Sequence, residues 1–272
     1  MKVDLLGIKI DAVKKEDLKK KLEQIFKSKK INYIFTPNAE FVMRAQKDSV
    51  FKKILNNGAL NLADGVGILW AAKYDSLPIP NVPVLKQLFA FIVWLFSLFT
   101  IIFYPRFIKK PIPERISGAD FVWPLSQFAA ENDYKIFLLG GASTIAERAA
   151  LKLQTDIYGL KIAGVSSLDP QDRDQIIAQI NKSNADILLV AYGSPKQEIW
   201  LKNNLKETSC ILGVGVGGTF DFLAGTKKRA PASLRAIGLE WFYRLLLEPS
   251  RFKRQLAVPK LAFTMLFKKM FE

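Results

Sequence analysis

Short apolar runs alternate along this chain with amphipathic stretches, and that alternation restricts the fold more than any other property. Apolar runs of about five to seven residues separated by stretches of about ten to fifteen are the pattern of parallel strands joined by helices. The expectation is an α/β fold, a Rossmann-like, mostly parallel sheet with helices on both faces. Expected strands cover Asn32–Phe35, Ala59–Ala63, Lys135–Leu139, Leu160–Ala163, Asp186–Ala191 and Cys210–Val214. Expected helices cover Glu16–Lys27, Ala39–Lys47, Asp120–Asn132, Ile145–Ile157, Gln171–Asn181 and Gln197–Leu205, with Ser143, Asp169 and Ser194 as caps. The N-terminal stretch Met1–Ile10 reads as one more short strand and lacks the apolar run of a signal peptide. In such sheets the ligand crevice lies at the carboxyl ends of the strands.

Two segments break the pattern. From Leu88 to Tyr104 there is no charged residue, and Lys86, Arg106, Lys109 and Lys110 flank the run. As a helix it reaches roughly 25 Å, the lower limit for crossing a membrane. A single crossing would divide the sheet, because Asp64 precedes the segment and the later strands follow it. It is therefore expected to lie in the interface, to re-enter as a hairpin, or to bury itself against protein, with membrane contact favoured. Prolines at 78, 80, 83, 105, 111 and 113 set it apart as an insertion at about 80–110. The second exception is 227–272, where Lys and Arg outnumber Glu and are interleaved with Trp241, Phe242, Tyr243, Phe252, Phe263, Phe267 and Phe271. The expected division is an α/β domain at 1–226 and a basic, aromatic C-terminal appendage at 227–272. Arg244, Arg251 and Arg254 share one face if a helix continues past Pro249.

The chemistry open to the chain is limited by the absence of histidine. A general base must then be a carboxylate, a lysine or a tyrosine. Asp64, between an apolar run and Gly65-Val66-Gly67, is the leading candidate. Forty Lys and Arg against twenty-five Asp and Glu give a net charge of +15, which favours anionic partners. The single cysteine, Cys210, excludes a disulfide framework and is expected in the core. Gly140 and Gly141 follow an expected strand and open a helix, so their amides are candidates for receiving a phosphate. They do not form the dinucleotide fingerprint. The Asp172-Arg173-Asp174 pattern fits a helix N-terminus better than a metal site. No metal-ligand cluster is expected, and charge on a diphosphate leaving group would then be met by arginine and lysine.

Several ordered blocks are more specific: Thr36-Pro37-Asn38-Ala39-Glu40, Ala63-Asp64-Gly65-Val66-Gly67, Arg115 with Ser117-Gly118-Ala119-Asp120, Gly193-Ser194-Pro195-Lys196-Gln197-Glu198, and Gly215-Val216-Gly217-Gly218-Thr219-Phe220-Asp221. Together with Lys228-Arg229-Ala230-Pro231 and the run Gly238 to Leu246, they resemble the WecG/TagA/CpsF glycosyltransferase family over nearly all the chain except about 80–110. The resemblance implies bacterial enzymes that move a sugar, often N-acetylmannosamine or its uronic acid, from a UDP donor. The acceptor implied is N-acetylglucosamine on undecaprenyl diphosphate, in wall teichoic acid, enterobacterial common antigen or exopolysaccharide synthesis. It implies Asp64 as catalytic base, with Thr36 beside it in the catalytic set. Asn38, Arg115, Gln197, Arg244, Arg251 and Arg254 are implied in substrate binding, the last three in an appendage that closes over the site and stabilises the UDP leaving group. Inversion by direct displacement is also implied. Family members often carry a histidine pair near Gly164, where this chain has Val165-Ser166-Ser167.

The expected protein is thus an inverting, metal-independent glycosyltransferase without a cofactor, at the cytoplasmic face of the bacterial cell membrane. Its partners would be a UDP-sugar, a lipid-diphosphate-linked sugar and the anionic membrane surface, with no nucleic acid and with homo-oligomerisation left open. Two other readings stand at this point. One is a non-catalytic basic protein that binds membrane or nucleic acid. The other is a nucleotide-dependent oxidoreductase, disfavoured by the missing glycine fingerprint.

Overall fold

The computed structural model describes residues 1–80, 82, 85–142 and 144–271. The chain opens with a hairpin of β1 (Lys2–Leu5) and β2 (Ile8–Asp11), paired antiparallel and apart from the main sheet. This corrects the single strand expected for Met1–Ile10. The turn falls at Leu6-Gly7, both with positive φ (53° and 80°), the geometry of a tight two-residue hairpin loop. Asp4 Oδ1 accepts from the Gly7 N–H at 2.7 Å.

After the hairpin come α1 (Leu18–Lys27), β3 (Asn32–Phe35), α2 (Ala39–Ala45), α3 (Ser49–Asn56), β4 (Leu60–Asn61), α4 (Val66–Ser76), α5 (Leu85–Phe103) and α6 (Gly118–Glu131). The alternation then becomes regular: β5 (Lys135–Gly140), α7 (Ile145–Asp156), β6 (Lys161–Ser166), α8 (Arg173–Ser183), β7 (Ile187–Ala191), α9 (Lys196–Asn204) and β8 (Leu212–Gly215). The C-terminal part is helical, with α10 (Thr219–Leu223), α11 (Ala232–Ala236), α12 (Glu240–Leu247), α13 (Phe252–Gln255) and α14 (Ala257–Phe271). The main sheet is six-stranded and parallel in the order β4-β3-β8-β7-β5-β6, so the expected α/β class holds.

The inner strands β5, β7 and β8 are buried on both faces, as a sheet covered by helices on either side requires, while the edge strand β6 is mostly half-buried. Phe137, Leu139, Leu188 and Val190 point into one core, shared with α2, α3, α4 and α9. Ile136, Leu138, Ile187 and Leu189 point into the other, shared with α1, α6 and α7. Cys210 is buried in the first, and burial pushes its thiol up to about 12, well outside the reactive range.

Among the described residues before the tail, α3, α4 and the five-residue α10 went unforeseen. Around α4 the buried residues Ile68, Leu69, Trp70, Ala71, Ala72 and Tyr74 run almost continuously, so no amphipathic period marks it. The short α3 starts from Asp48, whose Oδ1 accepts from Phe51 N–H at 2.9 Å. The expected caps also differ. Asp169 accepts from Gln171 N–H at 3.0 Å in a turn before α8, which begins at Arg173 without a side-chain cap. Pro195 occupies the position before α9, one residue beyond Ser194, and Ser143 lies outside the described residues.

The uncharged segment forms α5 with two unlike faces. Ala90, Trp94, Ser97 and Thr100 make a buried stripe against α4 and α14. Its polar atoms are satisfied there: Trp70 Nε1 donates to Ser97 Oγ at 2.9 Å, Tyr74 Oη to the Ala90 carbonyl at 3.0 Å, and Trp94 Nε1 to the Ala262 carbonyl at 2.9 Å. On the opposite side Ile92, Phe96, Phe99 and Phe103 face outward. The basic tail folds back onto the body, where Leu261, Met265 and Leu266 of α14 enter the first core and Lys268 pairs with Asp75 at 2.9 Å. Phe263, Phe267 and Phe271 stay exposed on α14, which packs beside α5.

Candidate active site

The carboxyl ends of β3, β4, β7 and β8 converge with the C-terminal helices on a cleft of about 230 Å³. Thr36 and Asn38 follow β3, Asp64 follows β4, Gln197 opens α9 after β7, and Val216 to Thr219 follow β8. Arg115, Arg244, Arg251 and Arg254 complete the lining. All these candidates except the two glycines thus meet in one place, although nearly two hundred residues separate Asp64 from Arg254. Gly140 and Gly141, at the end of β5, are not among the residues that line the cleft. A Cβ on Gly140 would come within 3.0 Å of the Tyr192 ring, so close packing accounts for that glycine.

Asp64 sits where the chain reverses from strand to helix. Gly65, at φ 100° and ψ 146°, makes the reversal possible because a side chain there would be strained. The Asp64 N–H donates to the Pro37 carbonyl at 2.9 Å, and the Ile116 N–H to that of Ala63 at 2.9 Å. These two bonds fix Asp64 between the Thr36 loop and the Arg115 loop. Burial pushes the Asp64 carboxyl up to about 7, Arg115 and Arg244 pull it down, and Glu240 and Asp120 reinforce the rise. A carboxylate that titrates near neutrality can both take and hold a proton.

A polar network ties the C-terminal helices to this floor. Arg115 Nη1 lies 3.2 Å from Glu240 Oε2, while Glu240 Oε1 accepts from Arg229 Nε at 3.3 Å. Arg229 reaches Asp120 Oδ1 at 2.9 Å and donates to Ser117 Oγ at 3.0 Å. Burial would raise the Asp120 carboxyl, but hydrogen bonds from Arg229 and Ser117 win and hold it down at about 2. Asp120 is therefore a fixed anion and Asp64 the titrating one.

The three tail arginines are held differently. Arg254 pairs with Glu40 at 2.8 Å, and Arg251 with Glu248 at 2.6 Å. The guanidinium of Arg244 lies 5.2 Å over the Phe222 ring, and its Nε is buried without a hydrogen-bond partner among the described residues. Burial, then the neighbouring Arg251, lowers the Arg244 pKa. Among the described residues no group of three or more His, Cys, Asp and Glu side chains is arranged to hold a metal ion.

Gln197 is a clamp between two loops. Its Oε1 accepts from Gly193 N–H at 3.1 Å and from Gly217 N–H at 3.0 Å, and its Nε2 donates to Glu198 Oε1 at 2.6 Å. Glu198 is a residue sequence reasoning passed over, because a Glu in the first turn of a helix reads as a partner of the helix dipole. It is buried, its Oε2 has no partner among the described residues, and burial pushes its carboxyl up to about 7 despite the hydrogen bond from Gln197. Gly215 leaves room for the pair, since a Cβ there would lie 2.7 Å from Gln197 Nε2 and 2.9 Å from Glu198 Oε1.

A family model described as glycosyl transferase WecG/TagA/CpsF matches residues 3–92 and 99–272. The stretch read from sequence as an insertion at about 80–110 is thus matched except for residues 93–98. A Bacillus subtilis protein named N-acetylglucosaminyldiphosphoundecaprenol N-acetyl-beta-D-mannosaminyltransferase is 30% identical over 246 residues, 90% of this chain and 83% of its own. A Bacillus spizizenii protein of the same name is 28% identical over 228 residues, 84% of this chain and 76% of its own. The matched regions carry the strand ends and the arginine-bearing helices that build the cleft, and this chain, a glycosyltransferase, belongs to the WecG/TagA/CpsF family.

Proposed function

We propose that the protein transfers an N-acetylhexosamine-type sugar, N-acetylmannosamine or its uronic acid foremost, from a UDP donor to N-acetylglucosamine on undecaprenyl diphosphate, with inversion and without a metal. The names of the two Bacillus relatives supply the acceptor and the sugar. The observation that carries the reading is a carboxylate poised near neutrality in a cleft lined by four arginines. An acceptor hydroxyl gives its proton to Asp64 as its oxygen bonds to the anomeric carbon. The bond from that carbon to the UDP oxygen breaks, and its electron pair stays with the diphosphate. Arg244, with Arg251 and Arg254 on the same wall, meets the charge that grows there. Thr36 and Asn38 line the cleft beside the base, while the Asn38 Oδ1 also caps α2 by accepting from Phe41 N–H at 3.1 Å. Gln197 shapes the wall by holding Gly193 and Gly217.

Purified protein given UDP-N-acetylmannosamine and lipid-diphosphate N-acetylglucosamine is expected to release UDP only when the acceptor is present, equally with and without EDTA. Release that stops in EDTA would reject the metal-free mechanism, and silence with a panel of UDP-N-acetylhexosamines would reject the transfer itself.

The reading also places the protein at the cytoplasmic face of the membrane. The outward face of α5 and the exposed rings of α14 form an adjoining apolar surface on a chain of net charge +15. Ile92, Phe96 and Phe99 are 51%, 60% and 57% exposed. Each such side chain taken out of water contributes about 1.5–3 kcal/mol. Because only about half of each side chain is still exposed, replacing all three with Ser is expected to lower binding to anionic vesicles by roughly 10²–10³-fold, with little change in Tm because none packs in the core. Unaltered co-sedimentation of the triple variant would overturn the assignment of this face.

A further inference from the structure

A second cavity, of about 290 Å³, adjoins the cleft and shares Val66, Arg115 and Gly238 with it. Its walls are apolar, from Leu69 of α4, Ile101 in the last turn of α5, Pro105, Ile108 and Ile237. Around them stand four cations, Lys15, Lys109, Arg115 and Arg235, against one carboxylate, Glu114. Glu114 Oε2 already accepts from the Lys15 backbone N–H at 2.7 Å, and neither Lys15 nor Lys109 has an ion pair among the described residues. A lining of hydrocarbon walls with an excess of positive charge suits a ligand that carries both an anionic group and a hydrocarbon chain.

Its position favours the same ligand. Ile101 and Pro105 bracket Ile102, Phe103 and Tyr104, which are 50%, 77% and 57% exposed at the end of the outward face of α5. A chain arriving along that face meets this cavity before the cleft. The partition between the two spaces is thin. Gly238, at φ +78°, lies so close to Val66 that a Cβ on it would come within 2.7–2.9 Å of the valine side chain. Arg115, bonded to Glu240 at 3.2 Å, borders both spaces.

We infer that this second cavity binds the diphosphate and first isoprenyl units of a polyprenyl-diphosphate acceptor, presenting the attached sugar past Gly238 and Val66 to Asp64. The inference rests on the transferase reading above. The cations hold the diphosphate, the apolar walls hold the first isoprenes, and the remaining chain follows the exposed face of α5. A volume near the low end of ligand pockets, about 300–1,000 Å³, suits the head of such a lipid rather than its whole length.

The test uses the full chain and direct binding, so that it does not depend on turnover. Farnesyl diphosphate is titrated against wild type, Ala236→Trp and Lys109→Glu, with inorganic diphosphate, farnesol and UDP as the other ligands. Ala236→Trp fills the cavity and Lys109→Glu reverses one of its charges. The charge variant is an exposed surface change that tests the site if the bulky variant folds poorly. The expected result is wild-type binding of farnesyl diphosphate at least tenfold tighter than either inorganic diphosphate or farnesol. Both variants should weaken it about tenfold or more, while UDP binding moves less than twofold. Equal affinity for inorganic diphosphate, or variants that bind farnesyl diphosphate as wild type does, would overturn the inference. If this binding pattern holds while no acceptor-dependent UDP release is found, the lipid cavity stands and the proposed transfer reaction falls.

Discussion

Replacing Asp64 with Asn is expected to lower turnover by roughly 10²–10⁴-fold, the usual contribution of a positioned general base, while leaving donor affinity nearly intact. The change keeps the shape of the side chain and removes only its capacity to accept a proton. Because burial lifts the carboxyl to about 7, wild-type kcat/KM should rise with pH through an apparent pKa near that value, and the residual activity of the variant should lose this rise. The same shift has a consequence for stability. The unfolded chain releases this proton near the ordinary value of 3.8 and the folded chain near 7, so the cost of ionising Asp64 in the fold grows across that interval and is fully present above it. Asp64→Asn should therefore raise Tm at pH 8 and leave it almost unchanged near pH 4, by roughly 2–4 °C for each kcal/mol relieved. Thermal melts at the two pH values check the sign. A variant that keeps wild-type turnover would remove Asp64 from the chemistry.

Arg244→Ala is expected to reduce turnover on the order of 10²–10³-fold, the range for losing one preorganised group that meets transition-state charge. Of the tail arginines, Arg251 and Arg254 are compensated by Glu248 and Glu40. Arg244 instead rests on Phe222 with its Nε unpartnered among the described residues. Its loss should fall mainly on kcat if the charge it meets develops during bond breaking, and UDP itself, which carries that charge fully, should inhibit the variant more weakly. Arg244→Lys should recover little, because a point cation does not reproduce a planar guanidinium stacked on a ring. A variant that raises KM for the donor while kcat stays at the wild-type value would make Arg244 a ground-state binding residue only. Removing the buried partner of a clamp is a different operation. Gln197 acts through Gly193 and Gly217, and changes there would move loops rather than delete a charge.

Much of this arrangement was legible in the sequence because it is locally encoded. Six apolar runs gave the six strands of the parallel sheet, with β3 at its observed ends, since strands buried on both faces are marked by continuous apolar residues. The place of Asp64 in the cleft was foreseeable from a strand end followed by glycines, and the segment from Leu88 to Tyr104 from its lack of charge. Local signals failed where burial was not one-sided. Helix α4 is apolar all round and showed no period, and the strand expected over Met1–Ile10 proved to be a hairpin whose turn carries Leu6 and Gly7 at positive φ. Glu198 was invisible as a site residue because its type and place are those of an ordinary first-turn acid. What makes it unusual is Gly215 on a neighbouring strand, which leaves it room to be buried.

By itself, then, the sequence determined the layer architecture, the helical tail and the residue types available for acid–base work, because hydrophobic period and the absence of histidine are properties of the chain alone. Only the tertiary structure decided which of those residues meet. The strand order β4-β3-β8-β7-β5-β6 puts β3, β4 and β8 side by side, and α14, docked on α2, α4 and α5, anchors the tail whose arginines line the cleft above Asp64. That order depends on how crossover helices pack across the sheet, a balance of contacts between segments far apart in the chain, and no local pattern records it.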